Sequence, residues 1–150
     1  MQTDLKHPFE LFGIECGKGW ESLYRPIIDY INDYNNSHTD SHINITQIKE
    51  KFAGLRIYWD GENVPEETVK ELRDMISDAE ERSYLICEQC GTTENVGLIT
   101  SGWYFTLCED CVRKLISKKE GLPKERIWKC NDDGKTYKIT LEGKYEYKKD

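Results

Sequence analysis

Four of the six cysteines in this 150-residue chain fall in two identical short spacings, Cys87-Glu88-Gln89-Cys90 and Cys108-Glu109-Asp110-Cys111, a C-x2-C-x17-C-x2-C pattern. Each pair can present two thiolates to one ion at about 2.3 Å, and a spacer of this length suits a hairpin that brings the pairs together. The pattern therefore predicts a tetrahedral zinc site made by Cys87, Cys90, Cys108 and Cys111. Four sulfurs complete the shell and leave no position for water or substrate, so the expected role is structural rather than catalytic. Gly91 permits the left-handed turn that follows a knuckle. Glu109 and Asp110 favour a helix start around the second pair.

A second cluster could bind rather than catalyse. Gly17-Lys18-Gly19-Trp20 and the run from Lys49 to Trp59 combine cations with aromatic rings. Lys49, Lys51 and Arg56 could hold a phosphate while Tyr58, Trp59 and Trp20 stack a base. The competing reading is an ordinary half-exposed hairpin paired with helix acids. His38 and His42 lie in the loop-forming run NSHTDSHIN and read as solvated side chains. Cys16 and Cys130 lack a CxxC partner and a nearby histidine, so buried or half-buried thiols are expected, not nucleophiles. An enzyme would have to draw acid and base from carboxylates such as Glu15, Glu21 or Glu50. A treble-clef nuclease would need histidines that residues 91–122 do not contain. The chain is accordingly expected not to be an enzyme.

These residues require elements to place them. Trp20, Leu23, Tyr24, Ile27, Ile28, Ile31 and Tyr34 recur at helical spacing, predicting a helix from about Arg25, with Pro26 in its first turn, to about Asn35. Alternation at Ile43 and Ile45, and again at Leu55, Ile57 and Trp59, predicts a hairpin with strands near 43–50 and 55–60 around the turn Phe52-Ala53-Gly54. Leu55, Ile57 and Trp59 would face the core, with Arg56 and Tyr58 on the other side. Val64-Pro65-Glu66-Glu67 starts a second helix that runs to about Tyr84 and leads straight into Cys87. After the second pair, Val112 to Lys119 reads as a short helix closed by Gly121 and Pro123. Ile127-Trp128, Thr136 to Leu141 and Tyr145 to Tyr147 read as C-terminal hairpins. The fold class is α+β: an α-β-β-α unit over 1–86, a four-cysteine finger over 87–120 packed on it, and a β extension over 121–150. Knuckle, hairpin and ligand-bearing helix together resemble a treble-clef or zinc-ribbon finger.

The formal charge of −7 makes duplex nucleic acid an unfavourable partner, because phosphate neutralisation supplies most of that affinity. Only residues 123–150 are net basic, with 8 basic against 6 acidic side chains. No apolar run in the N-terminal segment suits a signal peptide, and no stretch suits a membrane span, so a cytoplasmic protein is expected.

Several segments resemble a group of small proteins encoded in phage and bacterial genomes: E-C-G-K-G-W at 15–20, I-K-E-K-F-A-G-L-R-I-Y at 48–58, A-E-E-R-S at 79–83, C-E-Q-C-G at 87–91 and W-Y-F-T-L-C-E-D-C at 103–111. The resemblance covers roughly residues 12–115. It implies zinc on the four cysteines and no particular activity; a phage origin would place the protein in the host cytoplasm. The functional expectation is a non-enzymatic binding protein that docks on and modulates a host protein. The alternative is a sequestering protein for a small nucleotide signal that counters host defence, in which a homo-oligomer could complete the pocket.

Overall fold

The computed structural model describes residues 13–118 and 124–148. The signal-peptide reading of the N-terminus, and the helix stop at Gly121 and Pro123, fall outside the described residues. So does the boundary drawn at 121.

A single 3-10 turn, Lys18–Trp20, leads without a break into helix α1, Glu21–Ser37. The helix thus begins before Arg25, and Pro26 lies inside it. Pro26 can sit there because it lies on the exposed side, as does Ser22; the Ser22 carbonyl that loses its helical donor is left to water. Trp20, Leu23, Tyr24, Ile27, Ile28, Ile31 and Tyr34 form the buried stripe, as their spacing predicts.

Strands β1, His42–Lys51, and β2, Gly54–Glu62, form an antiparallel hairpin with a bulge at Thr46, where pairing shifts from Ile45↔Trp59 to Gln47↔Tyr58. The bulge lets Ile43, Ile45 and Ile48 all reach the core despite their uneven spacing. Helix α2, Glu66–Ser83, packs alongside β2. Its side chains take up the hydrogen bonds of that strand's outer edge: the Leu55 N–H donates to Ser83 Oγ and the Ile57 N–H to Glu80 Oε2, each at 3.0 Å. A first core of Trp20, α1, the inner hairpin face and Leu72, Ile76 and Ala79 results.

The turn between β1 and β2 departs from the sequence expectation. Gly54 belongs to β2, and the two loop residues are Phe52 and Ala53, both left-handed with φ of 54° and 71°. A two-residue hairpin loop demands that conformation, which asparagine and glycine usually supply. Gly54 is used differently, since a Cβ there would collide with the Tyr84 hydroxyl lying over the strand.

The finger comprises β3, Val96–Ile99, β4, Phe105–Cys108, and helix α3, Glu109–Lys118. Beyond it, β5, Glu125–Cys130, β6, Thr136–Thr140, and β7, Lys144–Glu146, continue the same sheet in the order β4-β3-β5-β6-β7, antiparallel throughout. Gly97↔Cys130 and Ile99↔Trp128 register the C-terminal strands on the finger hairpin. Trp128 is fully buried over Gly97, where any Cβ would meet the indole, and donates its ring N–H to the Leu107 carbonyl at 2.9 Å. Ile99, Val112, Ile116 and Ile139 complete this second core.

Candidate metal centre

Cys87 and Cys90 lie on the knuckle that follows α2, Cys108 ends β4, and Cys111 occupies the first turn of α3. Their four sulfurs all lie within 4.8 Å of one another. Cys90 Sγ and Cys108 Sγ are 3.7 Å apart, close to the roughly 3.8 Å edge of a tetrahedron with 2.3 Å metal–sulfur bonds. The arrangement can hold a metal ion.

Local backbone geometry builds the knuckle. The Gly91 N–H donates to the Cys87 carbonyl and the Cys87 N–H to the Thr92 carbonyl, both at 2.9 Å, and Gly91 takes φ of +81°, as the turn after Cys90 requires. The thiols respond to burial and to the backbone. Burial opposes ionisation of Cys87, but the N–H groups of Cys90, Cys108 and Gln89 outweigh it and lower its pKa. Burial, and then the neighbouring sulfurs, push Cys108 up to about 11 and raise Cys111 as well. Four thiolates crowded at this spacing repel one another, and a divalent cation at their centre converts that repulsion into attraction.

The knuckle is also the joint between the two cores. Glu88, between the first two cysteines, is buried; its carbonyl accepts the Gly19 N–H at 2.7 Å, its Oε2 accepts the Gly17 N–H at 2.9 Å, and its own N–H donates to the Thr106 carbonyl at 3.0 Å. A Cβ at Gly17 would strike the Glu88 carbonyl, and one at Gly19 the Cys87 and Glu88 carbonyls. Glycines are thus needed for Cys16-Gly17-Lys18-Gly19-Trp20 to lie against the metal loop. Burial, offset in part by the Gly17 N–H, raises the Glu88 pKa.

Among the other candidates, register places Lys49 opposite Arg56, Lys51 opposite Gly54 and Gln47 opposite Tyr58, so Lys49, Lys51, Arg56 and Tyr58 share the outer hairpin face. Arg56 spans from the Leu55 carbonyl (2.8 Å) to the Tyr84 hydroxyl (3.0 Å), a bond that raises its pKa. Trp20 and Trp59 do not join this group. Trp20 is fully buried with its indole N–H on the Ile86 carbonyl at 2.9 Å, so it offers no ring face to a ligand. Trp59 pairs with Ile45 and packs partly buried against the first core.

Two aromatic residues near the outer face carried no ligand role in the sequence reading. Trp103 and Tyr104, in the loop between β3 and β4, lie with Phe52, Lys49 and Lys51 around one cleft. Their signal was an aromatic pair after Gly102, in a hairpin loop where polar residues are usual.

The remaining groups are engaged in structure. The His38 ring stacks on Tyr34 at 4.0 Å and its Nδ1 meets the Tyr34 carbonyl at 2.8 Å. Cys16 is half-buried and Cys130 buried. Glu15 accepts from Gln47, Glu21 pairs with Arg25, and Glu50 accepts the Ala53 N–H. No helix among the described residues is long and apolar enough to cross a membrane. Comparison with family models, curated proteins and solved structures returned no match to the chain.

Proposed function

We propose that the chain is a non-enzymatic binding protein held together by structural zinc, which docks on a partner protein through the open face of β5–β7. The all-sulfur donor set and its tetrahedral spacing support zinc, and a filled shell gives that ion no Lewis-acid work. One zinc per purified chain by elemental analysis is the expected stoichiometry.

The observation that carries the docking reading is the one-sided cover of β5–β7; nearer the finger the same face is closed, where Thr106 on β4 is buried against Ala53. Ile139 and Trp128 point into the core with α3, whereas Lys138 pairs with Tyr145 on the opposite face, and Tyr147, two residues on, shares that side. Tyr145 is 54% exposed; Lys138 lies opposite it on β6, 3.6 Å from Glu125, and Lys129 lies one strand further on β5. Exposed tyrosines among lysines suit a partner surface with apolar pockets and an acidic rim. The resemblance to phage-encoded proteins supports a host protein in the cytoplasm as that partner.

The test compares wild type with the double variant Tyr145→Ala/Tyr147→Ala. Captured host proteins are first identified and the complex is then rebuilt from purified components. A stoichiometric complex weakened at least about tenfold by the variant supports the reading; equal binding by both proteins refutes it.

A further inference from the structure

A cleft of about 420 Å³ opens between the β1–β2 turn and the β3–β4 loop, lined by Lys49, Glu50, Lys51 and Phe52 on one side and Trp103 and Tyr104 on the other. The volume falls in the roughly 300–1,000 Å³ range of small-molecule sites. Trp103 and Phe52, 73% and 69% exposed, are the most exposed large apolar side chains among the described residues, and both line this one cleft.

The charges around it are unusual for an acidic chain. None of the ion pairs among the described residues involves Lys49, Lys51 or Arg56, although all three share the outer hairpin face. The one carboxylate in the cleft, Glu50, is drawn into the turn, where its Oε2 accepts the Ala53 N–H at 2.7 Å. Two cations without carboxylate partners, Lys49 and Lys51, thus line the cleft beside three aromatic rings, with Arg56 next to Lys49 on the same hairpin face.

The walls are held in place before any ligand arrives. Ala53 is fully buried, with its N–H on Glu50 and its carbonyl accepting the Thr106 hydroxyl at 2.7 Å. That clasp fixes the left-handed pair Phe52-Ala53 and aims the Phe52 ring outward beside β4. Non-glycine residues in this conformation persist where surrounding structure over-determines them, a condition common at ligand sites.

We infer that this cleft is a binding site for a free nucleotide, with Trp103, Tyr104 and Phe52 stacking the base and Lys49 and Lys51, flanked by Arg56, holding the phosphate. Rings accept any base face, and ammonium groups attract phosphate without demanding one geometry. A mono- or dinucleotide fits better than a long strand, because the net charge of −7 repels an extended polyanion beyond the local lysines. The site lies at the β4 side of the sheet, whereas Tyr145 and Tyr147 lie at the β7 side, so it does not depend on the docking reading.

Calorimetric titration of the metal-loaded full chain tests it, using AMP, GMP, 5′-phosphorylated ApA, adenosine, inorganic phosphate and a short oligo-dT. One AMP, GMP or ApA per chain is expected, with adenosine and phosphate each at least about tenfold weaker. Trp103→Ala and Lys51→Glu should each lose about tenfold or more without a change in melting temperature, and Lys51→Arg should retain binding. Tyr145→Ala/Tyr147→Ala should bind nucleotide as wild type does, so either reading can fail alone. Absence of binding by every nucleotide up to about 1 mM, equal binding by wild type and both cleft variants, or tighter and steeply salt-dependent binding of oligo-dT would overturn the inference.

Discussion

The side-chain hydroxyl of Thr106, on β4, donates to the backbone carbonyl of Ala53, in the β1–β2 turn, across a buried contact of 2.7 Å. One residue belongs to the sheet that carries the four cysteines and the other to the α-β-β-α unit, so this bond joins the two cores as the Glu88 contacts do. Thr106→Val keeps the shape and leaves the Ala53 carbonyl without its donor. A loss of about 1–3 kcal/mol is expected, read from chemical denaturation; an unchanged midpoint would show that water replaces the hydroxyl.

Gly19→Ala should be costlier than most surface changes, because the new methyl lands on the Cys87 and Glu88 carbonyls. Backbone has to move, so a loss of about 2 kcal/mol or more is expected, with weakened metal retention against a chelator. A variant that holds metal and melts like wild type would contradict the close approach.

Trp20→Phe separates a core role from a ligand role. Its indole N–H satisfies the buried Ile86 carbonyl, so the phenyl ring costs about 1–3 kcal/mol in stability. Affinity of the folded variant for any ligand of the outer hairpin face should stay the same.

Metal removal, or Cys108→Ser, should withdraw folding free energy of order 10 kcal/mol. Hydrogen exchange should rise first through β3, β4 and α3 and then at residues 17–20 and 52–54, which rest on the knuckle and on Thr106. Exchange confined to the finger would show that the two cores are independent.

Cys16 gives a pH signature. Burial, with Glu88 and Glu50 adding to it, raises its pKa from 9.0 to about 12. The unfolded chain therefore releases this proton at lower pH than the folded one. Stability from this group is complete below about pH 9 and is lost as pH rises towards 12. In Cys16→Ser the decline over that window should be shallower. Near pH 8 the wild-type thiol should also resist alkylation that consumes an ordinary cysteine.

The sequence revealed what spacing alone controls. Two CxxC pairs imply four converging sulfurs whatever surrounds them, and the alternation of Leu55 and Ile57 places Arg56 and Tyr58 outward. It misled where one residue serves distant structure. Trp20 reads as a ring available to a ligand because nothing local shows that Ile86, three residues past the end of α2, takes its N–H. Pro26 reads as a helix start, but on the exposed side the Ser22 carbonyl that its ring pushes out of the helical ladder can turn to water. Phe52 and Ala53 carry no glycine or asparagine signal for the left-handed turn they make, since its support comes from Glu50 and Thr106. The cleft is half legible: Lys49 and Lys51 stand out as cations beside aromatic residues, while Trp103 arrives from a loop about fifty residues away.

The placement of β3 between β4 and β5 also orders events during synthesis. Cys111, the last ligand, leaves the ribosome before the β5 residues Trp128 to Cys130 that pair with β3. At about 5–20 residues per second, a nascent chain has roughly one to four seconds in which all four sulfurs exist while one edge of β3 is still bare. A metal captured in that interval would hold the finger hairpin in register until its neighbouring strand is made, so scarcity of the ion during translation should be felt as misassembly in addition to the lower stability of any finished molecule that lacks it.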